Sequence, residues 1–408
     1  MSLLPQVARA QTCSRTLTAN VVALDQPFFL NRLGALESAG MMFALRRDVV
    51  PISGTTISAG NVQLRSDKRP RPLVLRMNVG DCLQITFTNL LSPTRKDADQ
   101  VATRNASIHV IGMQLVNGIA SDGSFVGANA SSFAAPGATV TYTLFGQHEG
   151  GYVMYSTDTI GGEGDGGQQS AGLFGAINVE PPGARWYRSQ VAKNDLDLAT
   201  VGTTPDGHPI VNYEAVYPST SPLAGQPILN MLNGNEIVKS DLTAMITGPL
   251  TSTGQPGRFP AGTFAKNPEL PDREQPFREF TIIYHDEIGA VQAFPEFFNP
   301  DPVKNPAPPT EKPIDPGLIF TLSGAKDGFA INYGVAGIGA EVLANRLRVG
   351  PMWNCPECKY EEFFLSSWAI GDPAQIVDIP ANARDAVGNV IPGPKATKVL
   401  YQIGRAHV

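Results

Sequence analysis

No run in the 408-residue chain approaches eighteen consecutive apolar residues, so no segment is expected to cross a membrane as a helix. An excess of Lys and Arg is missing too, with 31 of them against 37 Asp and Glu. With a formal net charge of -6, the chain lacks the basic surface that holds phosphate backbones, which speaks against a nucleic-acid partner. Cysteine is scarce: Cys13, Cys82, Cys355 and Cys358 are the four. A chain this long can bury its core without dense disulfide stapling. Cys13 and Cys82 could pair, though their spacing does not establish it. Cys355-Pro356-Glu357-Cys358 is a single CxxC, and a zinc ribbon needs a second such pair, so structural zinc is not expected. No βαβ setting surrounds it, which leaves a disulfide or a turn with free thiols as the plain reading. Histidine is sparse as well. His109, His148, His208, His285 and His407 form no His-x-His pair, and none adjoins a cysteine.

What the chain has in plenty is glycine and proline, 41 and 34 residues spread along its length, as suits an all-β protein with frequent turns. Arg15 to Leu24 reads as a first strand. Leu73-Val74-Leu75-Arg76-Met77 leads through the turn Asn78-Val79-Gly80-Asp81 into a run where Leu83, Ile85 and Phe87 alternate with Gln84, Thr86 and Thr88. Val140, Tyr142 and Leu144 alternate likewise after the turn Ala135-Pro136-Gly137. Such alternation places one face on a core and the other in water, as in an antiparallel sandwich. Residues 34–48 are expected to carry a short helix or an irregular crossing.

Glu180-Pro181-Pro182-Gly183 breaks the last strand of a first domain, residues 14–182. A second domain is expected over 184–350, with a Pro/Gly/Ser/Thr-rich surface insertion at 219–262 and an extended proline-rich tether at 300–316. Phe280 to Asp286 and Phe329 to Gly334 read as two of its strands. Residues 351–402 would hold its later strands, near 363–365, 375–377 and 398–400, or begin a third domain.

Three blocks between residues 105 and 179 carry the most specific signal. They are Ser107-Ile108-His109-Val110-Ile111-Gly112, then Gly150-Gly151-Tyr152-Val153-Met154-Tyr155-Ser156-Thr157, then Ala171-Gly172-Leu173-Phe174-Gly175-Ala176-Ile177. Their order and spacing resemble the first cupredoxin domain of the multicopper oxidases, large bacterial type. That family carries His-x-His-Gly in the first block, Tyr-x-Tyr-His-Ser-His in the second and Gly-Leu-x-Gly in the third. His109 matches the first histidine, whereas Ile111, Tyr155 and Thr157 stand at the other three places.

The resemblance implies tandem cupredoxin-like Greek-key β-barrels or sandwiches. It also implies a parent enzyme that oxidises a metal ion or small-molecule donor by single electrons and reduces O2 to water at copper. Copper is suited by neutral imidazoles and a thiolate, and this chain is short of both. The chain therefore reads as an amino-terminal, ligand-poor part of such an oxidase, inactive alone and completed by downstream cupredoxin domains. Copper-free use of the same fold, for binding or as a spacer, is the alternative. A mononuclear copper site on His109 and His148 is a third reading. The ordinary roles are a hydrogen-bonded structural histidine for His109 and a surface-loop histidine for His148.

His208 lies in a turn, and His285 sits on a strand beside Asp286 and Glu287. Asp158 to Gly167 concentrates carboxylates on a loop without EF-hand spacing, and residues 334–339 are glycine-rich without the G-x-G-x-x-G pattern. Ala8-Arg9-Ala10 has the small-x-small form of a signal-peptidase site, in keeping with a secreted or periplasmic protein. Residues 403–408 resemble the translation of a sequencing-adapter oligonucleotide, a non-native tail that would remove His407 from consideration.

Overall fold

A computed structural model describes residues 11–30, 35–95, 100–124, 131–158, 167–260, 274–288, 290–292, 328–333 and 400–402. The two main sheets of the first unit take nine of its described strands: β1 (Thr16–Asp25), β2 (Met41–Leu45), β3 (Leu73–Asn78), β4 (Cys82–Asn89), β5 (His109–Val110), β6 (Gln114–Leu115), β7 (Thr139–Phe145), β8 (Gly150–Tyr155) and β9 (Phe174–Glu180). In the larger sheet the order is β6-β7-β4-β1. The far edge of β1 is shared by β2 and by a small hairpin, Leu232–Asn233 with Glu236–Ile237. The second sheet runs β3-β9-β8-β5, with β9 parallel to β3 and antiparallel to β8.

The alternation in β4 is what seats the two sheets on each other. Leu83, Ile85 and Phe87 are buried while Gln84 is exposed, and they oppose Leu144, Tyr142 and Val140 of β7 in register. Leu75 and Met77 of β3, Met154 of β8, and Ile177 and Val179 of β9 complete the same core from the other sheet. Each large apolar side chain so buried contributes about 1.5–3 kcal/mol. On the water side, Thr88 and Thr139 join their hydroxyls at 2.9 Å. The described strands form an all-β sandwich and not a closed barrel.

The β3–β4 turn depends on Gly80, whose φ of +89° is a left-handed conformation that a side chain would strain. Asp81 secures it. Its Oδ2 accepts from the Asn78 backbone N–H at 2.9 Å and from Arg15 Nε at 2.9 Å. Next to it a disulfide joins Cys13 to Cys82, with Cα atoms 5.3 Å apart, which closes the question the spacing left open.

Residues 34–48 differ from the expectation of a helix or an irregular crossing. β2 is a strand antiparallel to β1, followed by one 3-10 turn, Arg46–Asp48. All five β2 residues are buried, Met41, Phe43 and Leu45 in one cluster and Met42 and Ala44 in another, so alternation is erased.

Beyond residue 183, β10 (Arg185–Arg188), β11 (Thr243–Thr247) and β12 (Phe277–Phe280) form a three-stranded sheet. β11 is buried throughout and is the middle strand, so within the stretch expected as a surface insertion, 219–262, residues 243–247 lie in the core, whereas 219–226 are mostly exposed. Trp186 reaches the core of the first unit while Tyr187 packs with Tyr213 and Tyr217 on the other side. The expected strand from Phe280 to Asp286 is broken. β12 ends at Phe280, and β13 (Tyr284–Ile288) pairs instead with β14 (Gly328–Ile331). Leu400–Gln402 pairs with Gln190–Ala192.

Among the described residues one α-helix occurs, Lys193–Ala199, and no helix is long and apolar enough to cross a membrane. The CxxC, the proline-rich stretch at 300–316, the glycine run at 334–339 and the strands expected near 363–365 and 375–377 lie outside the described residues, as do 398, 399 and the tail at 403–408.

Candidate functional site

The first and second blocks meet in register. β5 pairs with β8 so that His109 opposes Tyr155 and Val110 opposes Met154. Ile108 and Val110 enter the core, 1% and 6% exposed, which turns His109 to the opposite face. Its ring meets that of Tyr155 edge to face, 5.4 Å between centroids. Ile111 donates its N–H to the Val153 carbonyl at 3.0 Å and leaves its side chain exposed. Thr157 is held from two sides. Its hydroxyl donates to the Gly123 carbonyl at 2.8 Å, and its backbone N–H donates to Ser107 Oγ at 3.2 Å.

The side chain that organises His109 is Asp122. Oδ1 of Asp122 bonds to His109 Nδ1, and Oδ2 accepts from Ser124 Oγ at 2.7 Å. Asp122 follows the 3-10 turn Gly118–Ser121, and Gly123 makes the close approach feasible. A Cβ at Gly123 would lie 2.7 Å from the His109 backbone nitrogen. Ser132 clamps this turn by donating to the carbonyls of Asp122 and Ser124, the second at 3.0 Å. Buried Tyr142 then holds Ser132, donating its hydroxyl to the Ser132 carbonyl at 2.6 Å. Burial, with the Asp122 charge adding to it, pushes that phenol well above its ordinary value, so it stays a donor.

An ionised carboxylate can only accept a hydrogen bond, so it selects the tautomer with the proton on Nδ1. Nε2 is then the nitrogen with a lone pair for a ligand, an arrangement that also orients metal-binding histidines. A metal needs more donors than this one. The remaining matched positions offer an aliphatic, a phenol and a hydroxyl. Among the described residues no group of three or more His, Cys, Asp or Glu is placed to hold an ion. The residues present therefore do not fit a copper cluster at these positions.

His148 is not brought to His109. It is exposed and precedes β8 at the Gly150 end, whereas His109 opposes the Tyr155 end. The five strand steps between Gly150 and Tyr155 put roughly 16 Å of strand between those ends. The His148 carbonyl accepts from the Tyr152 hydroxyl at 2.9 Å. His208 is exposed next to a turn, as expected. His285 lies against aromatic rings, 4.8 Å from Phe174 and 5.9 Å from Tyr333.

Asp158, which opens the acidic stretch, has a buried Oδ2 without a hydrogen-bond partner among the described residues. Burial pushes its carboxyl up to about 6. The partners sequence reasoning missed are Asp122 and Ser124. Their only trace in the sequence is a short polar residue on each side of a glycine, Asp122-Gly123-Ser124, a pattern shared by many turns.

No family model and no curated protein matches the sequence. Solved structures with local likeness include a multi-copper oxidase from Pseudomonas Thermotolerans, at 18% identity and TM-score 0.26 over 40% of this chain and 29% of that one. A copper nitrite reductase from Nitrosomonas europaea aligns at 17% identity and TM-score 0.26, over 41% of this chain and 42% of that one. The multicopper oxidase mgLAC aligns at 12% identity and TM-score 0.26 over 49% and 52%. The chain thus spans less than two thirds of each. At these TM-scores the likenesses carry no argument of their own, and the all-β sandwich is defined by its strand order and core.

Proposed function

We propose that this chain is a ligand-poor, cupredoxin-like part of a multicopper-oxidase-like oxidoreductase. Single electrons from a metal ion or small-molecule donor would there be coupled to O2 reduction at copper held by other imidazoles and a thiolate. The observation that supports this reading is the direct pairing of His109 with Tyr155. Two sequence blocks more than forty residues apart meet residue for residue, as the resemblance requires, although the second has lost its imidazoles. In this role the sandwich supplies shape. His109 keeps its proton on Nδ1 against Asp122, and Tyr155 fills the place opposite it. Copper-bearing cupredoxin domains, joined or associated, would be its working partners. The disulfide between Cys13 and Cys82 favours an oxidising compartment, secreted or periplasmic.

The test restores what is missing. With Ile111→His, Tyr155→His and Thr157→His combined, the folded protein should bind copper more tightly than wild type, as measured by competition with a chromogenic chelator. Unchanged affinity in a folded variant would overturn the proposed correspondence. A copper-free binding or structural role is the second reading, favoured by the commitment of the one matched imidazole to Asp122. It predicts no donor-dependent O2 consumption when the intact native protein is loaded with copper, whereas the oxidase role predicts turnover.

A further inference from the structure

Lys239 lies just past the Glu236–Ile237 strand and is only 7% exposed. Among the described residues its ammonium makes no hydrogen bond or close ion pair, and it sits 5.5 Å from the centre of the Tyr217 ring. The charges that act on it are mostly of its own sign: Arg188, Lys68 and Arg47, against Asp241 alone. Asp241 is already committed to Arg188, whose Nε donates to it at 2.6 Å, while Nη1 donates to Asp195 at 2.9 Å. The other Asp195 oxygen accepts from the Tyr217 hydroxyl at 3.0 Å.

The surrounding cations are unequally served. Lys68 pairs with Asp48 at 3.0 Å, and Arg65 pairs with Asp67 at 2.7 Å. Among the described residues Arg47 has no close carboxylate partner and gives both terminal nitrogens to the neutral Gln226 Oε1, each at 3.3 Å. Among the described residues Arg47 and Lys239 are thus the cations of the cluster without a close carboxylate, and since Arg188 takes two carboxylates, the cluster as a whole carries one positive charge in excess. An isolated buried ammonium among like charges is costly, and removing its proton is the usual escape. Burial first, then Arg188 and Lys68, lower Lys239 to about 7. A bound dianion offers the other escape.

We propose that this cluster is a binding site for a small phosphate-class oxyanion, held by Lys239 and Arg47 with Lys68 at the rim. A guanidinium presents paired N–H donors that suit two oxygens of such an ion, and an ammonium supplies a point charge. An oxyanion with several oxygens can reach both unpaired cations at once, and the excess positive charge of the cluster favours it. Lys68 and Arg47 keep part of their surface in water, which gives an ion access. Arg47 belongs to the 3-10 turn after β2, whereas Lys239 comes from the segment leading into β11, so the ion would fasten β11 and its neighbours to the first sandwich.

The experiment uses the intact protein with inorganic phosphate, matched for ionic strength with chloride, and reads two signals. Thermal midpoint should rise saturably with phosphate. Acylation of Lys239 by an amine-selective reagent, followed by mass spectrometry at pH 8, should fall several-fold as phosphate saturates. Lys239→Met and Arg47→Gln should each lose the saturable rise in midpoint. If Lys239→Met does not fold, Arg47→Gln and wild-type labelling decide the matter. Signals that follow ionic strength alone, or a phosphate response retained in Arg47→Gln, would overturn the proposal.

Discussion

His109 and Tyr155 face each other across the β5–β8 pair with ring centroids 5.4 Å apart, and Asp122 bonds the same imidazole at Nδ1. One histidine is thus fixed by an aromatic edge and a carboxylate, and the geometry can be taken apart from either side.

Removing the carboxylate should loosen the whole turn. Asp122→Ala deletes the partner of His109 Nδ1 and of Ser124 Oγ, and a hydrogen bond to a charged group contributes about 1.5–3 kcal/mol. Urea unfolding should show a loss of that order, with Asp122→Asn less affected. Nitrogen NMR of His109 should show the Nδ1–H tautomer in wild type and a mixture in the alanine variant.

The disulfide closes a long loop between Cys13 and Cys82, 69 residues apart in sequence. Cross-links of this kind constrain the unfolded chain and contribute roughly 2–4 kcal/mol. Replacing both residues by serine should lower stability by that amount, and reduction of wild type should have the same effect on the thermal midpoint.

Arg76, 1% exposed, ties the first sandwich to the sheet that follows it. Its Nε and Nη2 donate to Glu279 Oε1 at 2.9 and 2.6 Å, Nη1 donates to the Asp241 carbonyl at 2.9 Å, and Asn178 Nδ2 reaches the same Glu279 oxygen at 2.7 Å. Burial works against the Glu279 charge, but Arg76 and the hydrogen bonds of Glu180 and Asn178 hold its carboxyl low. Burial and then the Glu279 charge push Glu180 well up, so Glu180 remains neutral beside it. Arg76→Met should cost about 3–5 kcal/mol, since it strands a buried charge. Glu180→Gln, which keeps neutrality and shape, should change unfolding far less.

Two groups should shape stability against pH in opposite windows. Asp158 titrates near 6 in the folded protein, above its ordinary 3.8, so the folded state binds the extra proton in that interval. Stability falls as pH rises from about 4 to 6. Asp158→Asn should remove that slope and melt higher than wild type at pH 7. Lys239 is the reverse case: folded near 7 against an ordinary 10.5, it makes the unfolded state the greater proton binder between them. Stability from this group rises from about pH 7 to pH 10, and Lys239→Met should flatten that rise.

Much of the sandwich was legible in the sequence where one strand face meets water. The residue types of β4 and β7 alternate, although Thr143 of β7 is buried with its neighbours, and the Asn78-Val79-Gly80-Asp81 turn needed its glycine. β2 was not legible because both its faces are buried, and β11 hid within a stretch rich in turn formers. At the site, the family blocks foretold that His109 and Tyr155 would be neighbours. They were silent on Asp122, whose contact with His109 arises from a turn folding back and has no periodic signature. Spacing likewise gave no sign that the length of β8 lies between His148 and His109.

The most direct measurement is metal analysis of the wild-type 408-residue chain by itself after copper loading and removal of excess ion, beside the Ile111→His, Tyr155→His and Thr157→His combination. Copper well below one ion per chain in wild type, rising to stoichiometric retention in the variant, is the predicted result. A stoichiometric copper centre in wild type that is lost with His109→Ala would contradict the account.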